Sequence, residues 1–287
     1  MNVLILSAGG PAGYGSIKSL RDINFNGKIV SIDGDELAVG FHMSDKYYVV
    51  PNVDDKDYIP QVLKIVDKEK IDLILPTGSD IEPISKNSHL FKGKLFMSDY
   101  ESIMDCTDKW RFYNKCKNSF PLPKTFKGSK LFKKPIIGSG SRGCELIEFN
   151  SSEILSEYLP GQEYTIDVLC DMDSNPLVVI PRKRLQVKAG ISSKGEIVKD
   201  DFIEKACFDI CKFLKLKGPV CLQMKEDSEG NPKFIEINPR LGGGTYFTTL
   251  AGVNLLSIIL DLVNGNKPKI PTPDLIQVVR YYSEIVI

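Results

Sequence analysis

Through residue 100, short apolar runs alternate with amphipathic stretches. Asn2–Ser7, Lys28–Ile32, Tyr47–Val50 and Ile71–Leu75 read as strands, and Leu95–Met97 as a further edge strand. Between them, Tyr14–Ile23 and Tyr58–Glu69 read as helices, the second with Ile59, Val62, Leu63 and Val66 at helical spacing. Strands alternating with helices predict a parallel sheet with both faces covered.

Beyond residue 100 the pattern changes. Asp99–Cys106 and Lys109–Lys117 read as helices, and Pro121 and Pro123 then interrupt the periodicity. Short strands are expected at Leu131–Ile137, Leu146–Phe149, Tyr164–Asp171, Leu177–Pro181, Val220–Lys225 and Lys233–Asn238, with a last one near Gln277–Ile285. Phe202–Leu214 and Tyr246–Val263 read as helices. Grouped strands with fewer helices predict an α+β or mixed-sheet arrangement after the α/β beginning.

Charge sharpens the picture by exclusion. Thirty-seven basic and 37 acidic residues give a formal net charge of zero. That balance counts against nucleic acid as the main partner, although it allows a local cationic pocket. No apolar run approaches the ~20 residues a bilayer needs, so no membrane span is expected. The start lacks a basic n-region and reads as a strand, not a signal peptide. Seven scattered cysteines without a CxxC pair suggest reduced thiols and a cytoplasmic location. With two histidines in the chain, a histidine-rich zinc site or a Ser-His-Asp triad is disfavoured. Any metal is expected to be held by oxygens.

Six segments carry candidate chemistry. Gly9, Gly10, Gly13 and Gly15 lie at a strand-to-helix junction, with Asp33 ending the next strand. They can serve a phosphate or merely tight packing, and the spacing is not a GxGxxG fingerprint. Lys133-Lys134-Pro135 precedes a Gly/Ser loop, Gly138-Ser139-Gly140-Ser141, able to close over phosphates. Glu157-Tyr158-Leu159-Pro160-Gly161-Gln162-Glu163 offers an acid, a turn and a second acid entering a strand, so that a strand backbone and one carboxylate suit an adenine edge and a ribose diol. Arg182-Lys183-Arg184, with Lys188 beyond, is a cationic knot: either a solvated turn or an anion contact, with Arg184 the favoured contributor. Gln223 is followed by Phe234-Ile235-Glu236-Ile237-Asn238-Pro239-Arg240, where period two puts Glu236 and Asn238 on one strand face. Paired oxygen ligands beside an arginine suit Mg²⁺ on triphosphate oxygens. Asp80 and Glu82 follow a strand end where open α/β sheets bind ligands, so a substrate role and a capping role both stand. Cys207 and Cys211, four apart, read as core.

Together these motifs resemble the ATP-grasp superfamily, and most closely its carbamoyl-phosphate-synthetase-like branch of carboxylate–amine ligases. The resemblance implies three lobes: a Rossmann-like pre-ATP-grasp domain over 1–100, a small ATP lobe over 101–160 and a larger catalytic lobe over 161–287. It implies that Lys134, the loop Gly138–Ser141 and Lys109 meet ATP phosphate, that Glu157, Tyr158 and Leu159 hold adenine, and that Glu163 binds ribose. Gln223, Glu236 and Asn238 become ligands of Mg²⁺ or Mn²⁺, with Arg240, Arg184 and Lys188 on the catalytic side. The implied reaction is ATP-dependent joining of a small-molecule carboxylate to an amine through an acylphosphate, with a homodimer as a possible assembly. A nucleotide-binding regulator and a carbamoyl-phosphate-synthetase-like phosphorylating subunit remain as alternatives.

Overall fold

The computed structural model describes the chain except for residues 129, 138–140, 142 and 151. The first part is a four-stranded parallel sheet in the order β3-β2-β1-β4. Its strands are β1 (Val3–Ile5), β2 (Ile29–Asp33), β3 (Lys46–Val49) and β4 (Leu73–Leu75). Helices α1 (Pro11–Asp22), α2 (Tyr58–Lys68) and α3 (Ile81–Lys86) connect or follow them. Helix α3 escapes the apolar pattern because it is a single short turn-and-a-half. Leu95 adds only an isolated parallel bridge to Ile74 instead of a full edge strand. Strand order reverses around β1, so the turns after β1 and β4 open a crevice at the carboxyl end of the sheet.

Helices α4 (Tyr100–Thr107) and α5 (Lys109–Cys116) lead into two separate hairpin-like sheets. One pairs β5 (Thr125–Lys127) with β8 (Ile154–Ser156), the other β6 (Lys130–Lys133) with β7 (Glu145–Glu148). Strand β6 stops at Lys133, short of the expected Ile137, because Pro135 follows and cannot donate to a ladder.

The remainder is a six-stranded antiparallel sheet, β13-β12-β9-β10-β11-β14. It comprises β9 (Glu163–Cys170), β10 (Pro176–Lys188), β11 (Ile191–Ile197), β12 (Gly218–Glu226), β13 (Pro232–Asn238) and β14 (Gln277–Val279). Strand β10 runs well past the expected Pro181, so Arg182 and Arg184 sit inside a strand and not in a turn. Its partner β11 is too polar to be read from hydrophobicity. Helix α6 (Asp201–Phe213) is capped by the Asp200 side chain. The expected helix over 246–263 is two helices, α7 (Thr245–Leu250) and α8 (Leu255–Val263). Gly252, at φ +88, breaks it, and Asn254 caps α8 by accepting from the Ser257 amide.

The core explains how the cleft is held. One face of β9 packs Ile166 and Val168 against α6 residues Cys207, Ile210 and Cys211. The other face packs Leu169, with Ile180 of the neighbouring β10, in a cluster that also contains Val3, Ile17 and Leu20 of the parallel-sheet part and Leu255 and Ile259 of α8. The parallel-sheet part and the six-stranded sheet therefore share apolar packing, which positions their facing turns.

Candidate functional site

Strand register assembles the site. Glu236 pairs with Gln223, Gln223 with Thr165, and Thr165 with Arg182. These four residues form one row across four strands, and directly opposed residues point to the same face. The next row on that face is Asn238, Cys221, Asp167 and Ile180. The candidate metal ligands Gln223, Glu236 and Asn238 thus meet at one corner of the sheet. They line a cavity of ≈ 350 Å³ together with Arg182, Arg184 and Arg240.

The opposite wall comes from the parallel-sheet part. Gly10, Pro11 and Ala12 at the start of α1, and Thr77 after β4, line the same cavity. The run Gly242–Gly244 lets the walls approach. A Cβ on Gly242 would lie 2.5 Å from Cys221 Sγ, and one on Gly244 2.3 Å from Arg182 Nη2.

Charges within this cavity are paired unequally. Arg240 donates through Nη2 to Asn238 Oδ1 (3.2 Å) and through Nη1 to the Leu241 carbonyl (3.0 Å). Arg184 is fully engaged: it pairs with Glu163 and donates to Ser192 Oγ (3.1 Å) and the Gly190 carbonyl (2.6 Å). Arg182 is almost completely buried, yet none of its three guanidinium nitrogens has a hydrogen-bond partner among the described residues. Behind Thr77, the buried Asp80 accepts from Ser7 Oγ (2.5 Å) and the Gly78 amide (3.2 Å). Burial pushes its carboxyl up to about 6, against the opposing pull of those two donors and the Arg240 charge.

A second cavity, of ≈ 380 Å³, has a more apolar lining that includes Phe112, Leu122, Pro123 and Phe234. Lys109, Glu157, Tyr158 and Leu159 line it as well. Leu159 is buried and Tyr158 exposed, with the Lys225 ammonium 5.8 Å from the Tyr158 ring centroid. The Glu157 carboxylate accepts from the Lys124 amide (3.1 Å) and from Lys233 (3.0 Å), and both hold it below the usual carboxylate range. Asp108 caps α5 by accepting from the Trp110 and Arg111 amides, which fixes Lys109 at the first turn. From there Lys109 reaches Glu236 Oε1 at 3.4 Å and connects the two cavities.

Not every candidate converges. Lys134 lies exposed beyond β6, and Lys188 exposed at the end of β10; neither lines either cavity. Ser141 is described in a left-handed turn (φ 59), while Gly138, Ser139 and Gly140 lie outside the described residues. Glu163 contacts Arg184, so its expected ribose role competes with an ion pair inside the protein. Thr165, Asp167, Thr77 and Arg280 were not singled out from sequence; only Thr165 and Asp167 carried a signal, through period-two alternation with Glu163.

A family model for "ATP-grasp in the biosynthetic pathway with Ter operon" matches residues 150–285, and the PylC-like N-terminal domain model matches residues 3–93. The chain belongs to the ATP-grasp superfamily. This ATP-grasp chain is 23% identical over 245 residues to the tyramine–L-glutamate ligase of Methanocaldococcus fervens, covering 83% of this chain and 80% of that protein. It is 22% identical over 290 residues to the carbamoyl phosphate synthase large chain of Methanothermobacter thermautotrophicus. That match covers 84% of this chain but only 27% of the synthase, so the chain spans about a quarter of that relative. Among solved structures, biotin carboxylase from Campylobacter jejuni superposes with a TM-score of 0.66 at 14% identity, covering 96% of this chain and 73% of that one. N5-carboxyaminoimidazole synthetase from Staphylococcus aureus gives 0.67 at 15%, covering 94% and 78%. These likenesses establish the ATP-grasp fold, with its parallel-sheet pre-domain and antiparallel lobes. Among the described residues no helix is long and apolar enough to cross a membrane.

Proposed function

We propose that this chain is an ATP- and Mg²⁺-dependent ligase that joins a small-molecule carboxylate to an amine through an acylphosphate. The observation that carries the reading is the corner formed by Gln223, Glu236 and Asn238, linked to the hinge-lined cavity by Lys109. Adenine is assigned to the apolar cavity at Glu157–Leu159, and the phosphates run past Lys109 toward the corner.

The donor set fits Mg²⁺. Among the described residues no three histidine, cysteine or acidic side chains cluster, which disfavours zinc. One carboxylate and two amide oxygens suit a hard cation that takes further oxygens from phosphate. Gln223, Glu236 and Asn238 would hold it, and the ion would supply charge neutralisation at the triphosphate.

The chain's own residues then account for the rest of the chemistry. A carboxylate approaching an anionic γ-phosphate needs cations between them. Arg240, fixed by Asn238 and the Leu241 carbonyl, presents a fork beside the corner, and Lys109 adds a second charge. The carboxylate oxygen attacks phosphorus, ADP leaves, and an amine then displaces phosphate from the acylphosphate to form the C–N bond. Positioning and charge stabilisation suffice for these steps, with no protein nucleophile.

A screen of ADP release over carboxylates, with and without amines, tests the reading. The expected result is ADP release that requires a carboxylate and yields an amide in the presence of an amine. Mg·ATP binding without ADP release for any acid would favour a nucleotide-binding regulator instead.

A further inference from the structure

The cavity extends well beyond the corner where ATP and the reacting carboxylate are assigned. From Glu236 to Arg182 the row crosses three strand spacings, about 14 Å at ~4.8 Å each. Arg182 therefore stands at the end of that row opposite Glu236.

The chemistry of that end is unusual. Arg182 Nε, Nη1 and Nη2 are all buried without hydrogen-bond partners among the described residues, and Arg280 Nη1 is in the same condition. The two guanidinium groups lie 5.3 Å and 4.9 Å from the ring centroid of Phe247. Arg280 also donates to the Gly243 carbonyl. One carboxylate, Asp167, approaches Arg182, at 3.5 Å. Each of its oxygens already accepts a hydroxyl, from Thr245 Oγ1 (3.1 Å) and Thr248 Oγ1 (2.6 Å). The buried Arg182 and the half-buried Arg280 against one carboxylate leave a local surplus of one positive charge and four nitrogens without partners among the described residues. Burying such groups unsatisfied is costly, and the cost falls when an anion supplies the missing acceptors.

The surroundings favour an anion as well. Gly10, Pro11 and Ala12 bring the start of the 12-residue helix α1 to the same cavity, and no side chain caps that helix. Gly244 has no side chain to displace the Arg182 guanidinium, and a Cβ on Gly195 would crowd Arg182 Cδ at 3.2 Å.

We infer that the acid substrate carries a second carboxylate, bound by Arg182 at the end of the cavity opposite Glu236. One carboxylate is the group that balances a single surplus charge, whereas a phosphate dianion would overshoot it. An arginine fork meets a carboxylate through two parallel hydrogen bonds and so fixes the acid along its length. This inference rests on the ligase reading, which places the reacting end of the acid at the Glu236 corner. It adds the class of acid: a dicarboxylate or an amino acid with a side-chain carboxylate.

The test uses thermal melts in saturating Mg·ADP at constant ionic strength, with acids paired by chain length. Glutarate is set against valerate, adipate against hexanoate and pimelate against heptanoate. At least one diacid should bind roughly tenfold more tightly than its monoacid partner, the expected worth of one charge-assisted contact. Arg182→Met should erase that preference while keeping the shift caused by Mg·ADP. Should Arg182→Met fail to fold, Gly244→Ala serves the same purpose, because its Cβ displaces the guanidinium without removing it. The inference is overturned when no diacid outbinds its partner, or when the preference survives in the folded variant. A wild-type melt indifferent to Mg·ADP sinks the ligase reading itself, and this inference with it.

Discussion

The central strand β9 and the hairpin β6–β7 both lie in the ATP-grasp portion of the chain, yet they are built on opposite terms. All but the first residue of β9 is buried, whereas no residue of β6 or β7 is. Phe132 is 64% exposed and Leu146 50%. Two exposed cross-strand pairs, Lys130–Glu148 (2.9 Å) and Lys133–Glu145 (3.1 Å), accompany the hairpin, and such pairs contribute about 0–1 kcal/mol each. The six-stranded sheet can hold Glu236, Gln223, Thr165 and Arg182 in a fixed row because packing determines its register. The hairpin has only its own ladder to hold Lys134 in place. The proposed metal ligands thus sit on the first kind of element, and Lys134, the proposed phosphate lysine, just beyond the second.

The largest effect that would break this comparison is catalytic. Glu236→Gln keeps size and shape but removes the carboxylate from the corner. It should lower ADP release by at least about 100-fold with the melting temperature nearly unchanged, the scale of losing one preorganised electrostatic contact. Activity close to the original would move the metal site off β13.

Stability separates the two regions directly. Ile166→Ala, in the face of β9 packed on α6, should destabilise by about 2–5 kcal/mol in denaturant melts. Phe132→Ala in the hairpin should stay within about 0.5 kcal/mol. Equal losses would mean that the hairpin is packed against something in solution.

A smaller effect concerns Asp80. Its carboxyl is raised from 3.8 to about 6 by burial, so the folded chain retains a proton that the unfolded chain releases. The contribution to stability is full below about pH 4 and is lost as pH rises through about 6, at most of order 3 kcal/mol. Asp80→Asn should flatten the melting profile between those pH values and raise the melting temperature at pH 7.5. A profile unchanged by the substitution would show that Asp80 is already ionised in the fold.

The smallest expected change is at Lys134. Because it is exposed, Lys134→Ala should leave the melt of the free chain alone and weaken ATP binding by about tenfold, as expected for one charged phosphate contact. An unchanged ATP affinity would leave Lys109 as the phosphate lysine.

The sequence by itself determined the α/β beginning, the helix α6, and the strand that carries Glu236 and Asn238 on one face. Those features follow from local periodicity, which needs no knowledge of neighbours. The motif order from Lys134 through the Glu157–Glu163 hinge to Arg240 was also legible, and it pointed to the superfamily. What escaped was set by pairing and burial. Strand β11 is polar along its length and exists because it pairs with β10. The sequence pointed to Arg184 as the anion contact of the pair, and the fold reverses that order. Arg184 is consumed by Glu163, Ser192 and Gly190, while Arg182 is buried beside Gly244 and Phe247 with its donors unused. Arg280 reaches the same ring from a part of the chain nearly one hundred residues away, through the pairing of β14 with β11. Partners distant in sequence decide which charged groups remain available, so the tertiary structure, and not the local pattern, separates Arg182 from Arg184.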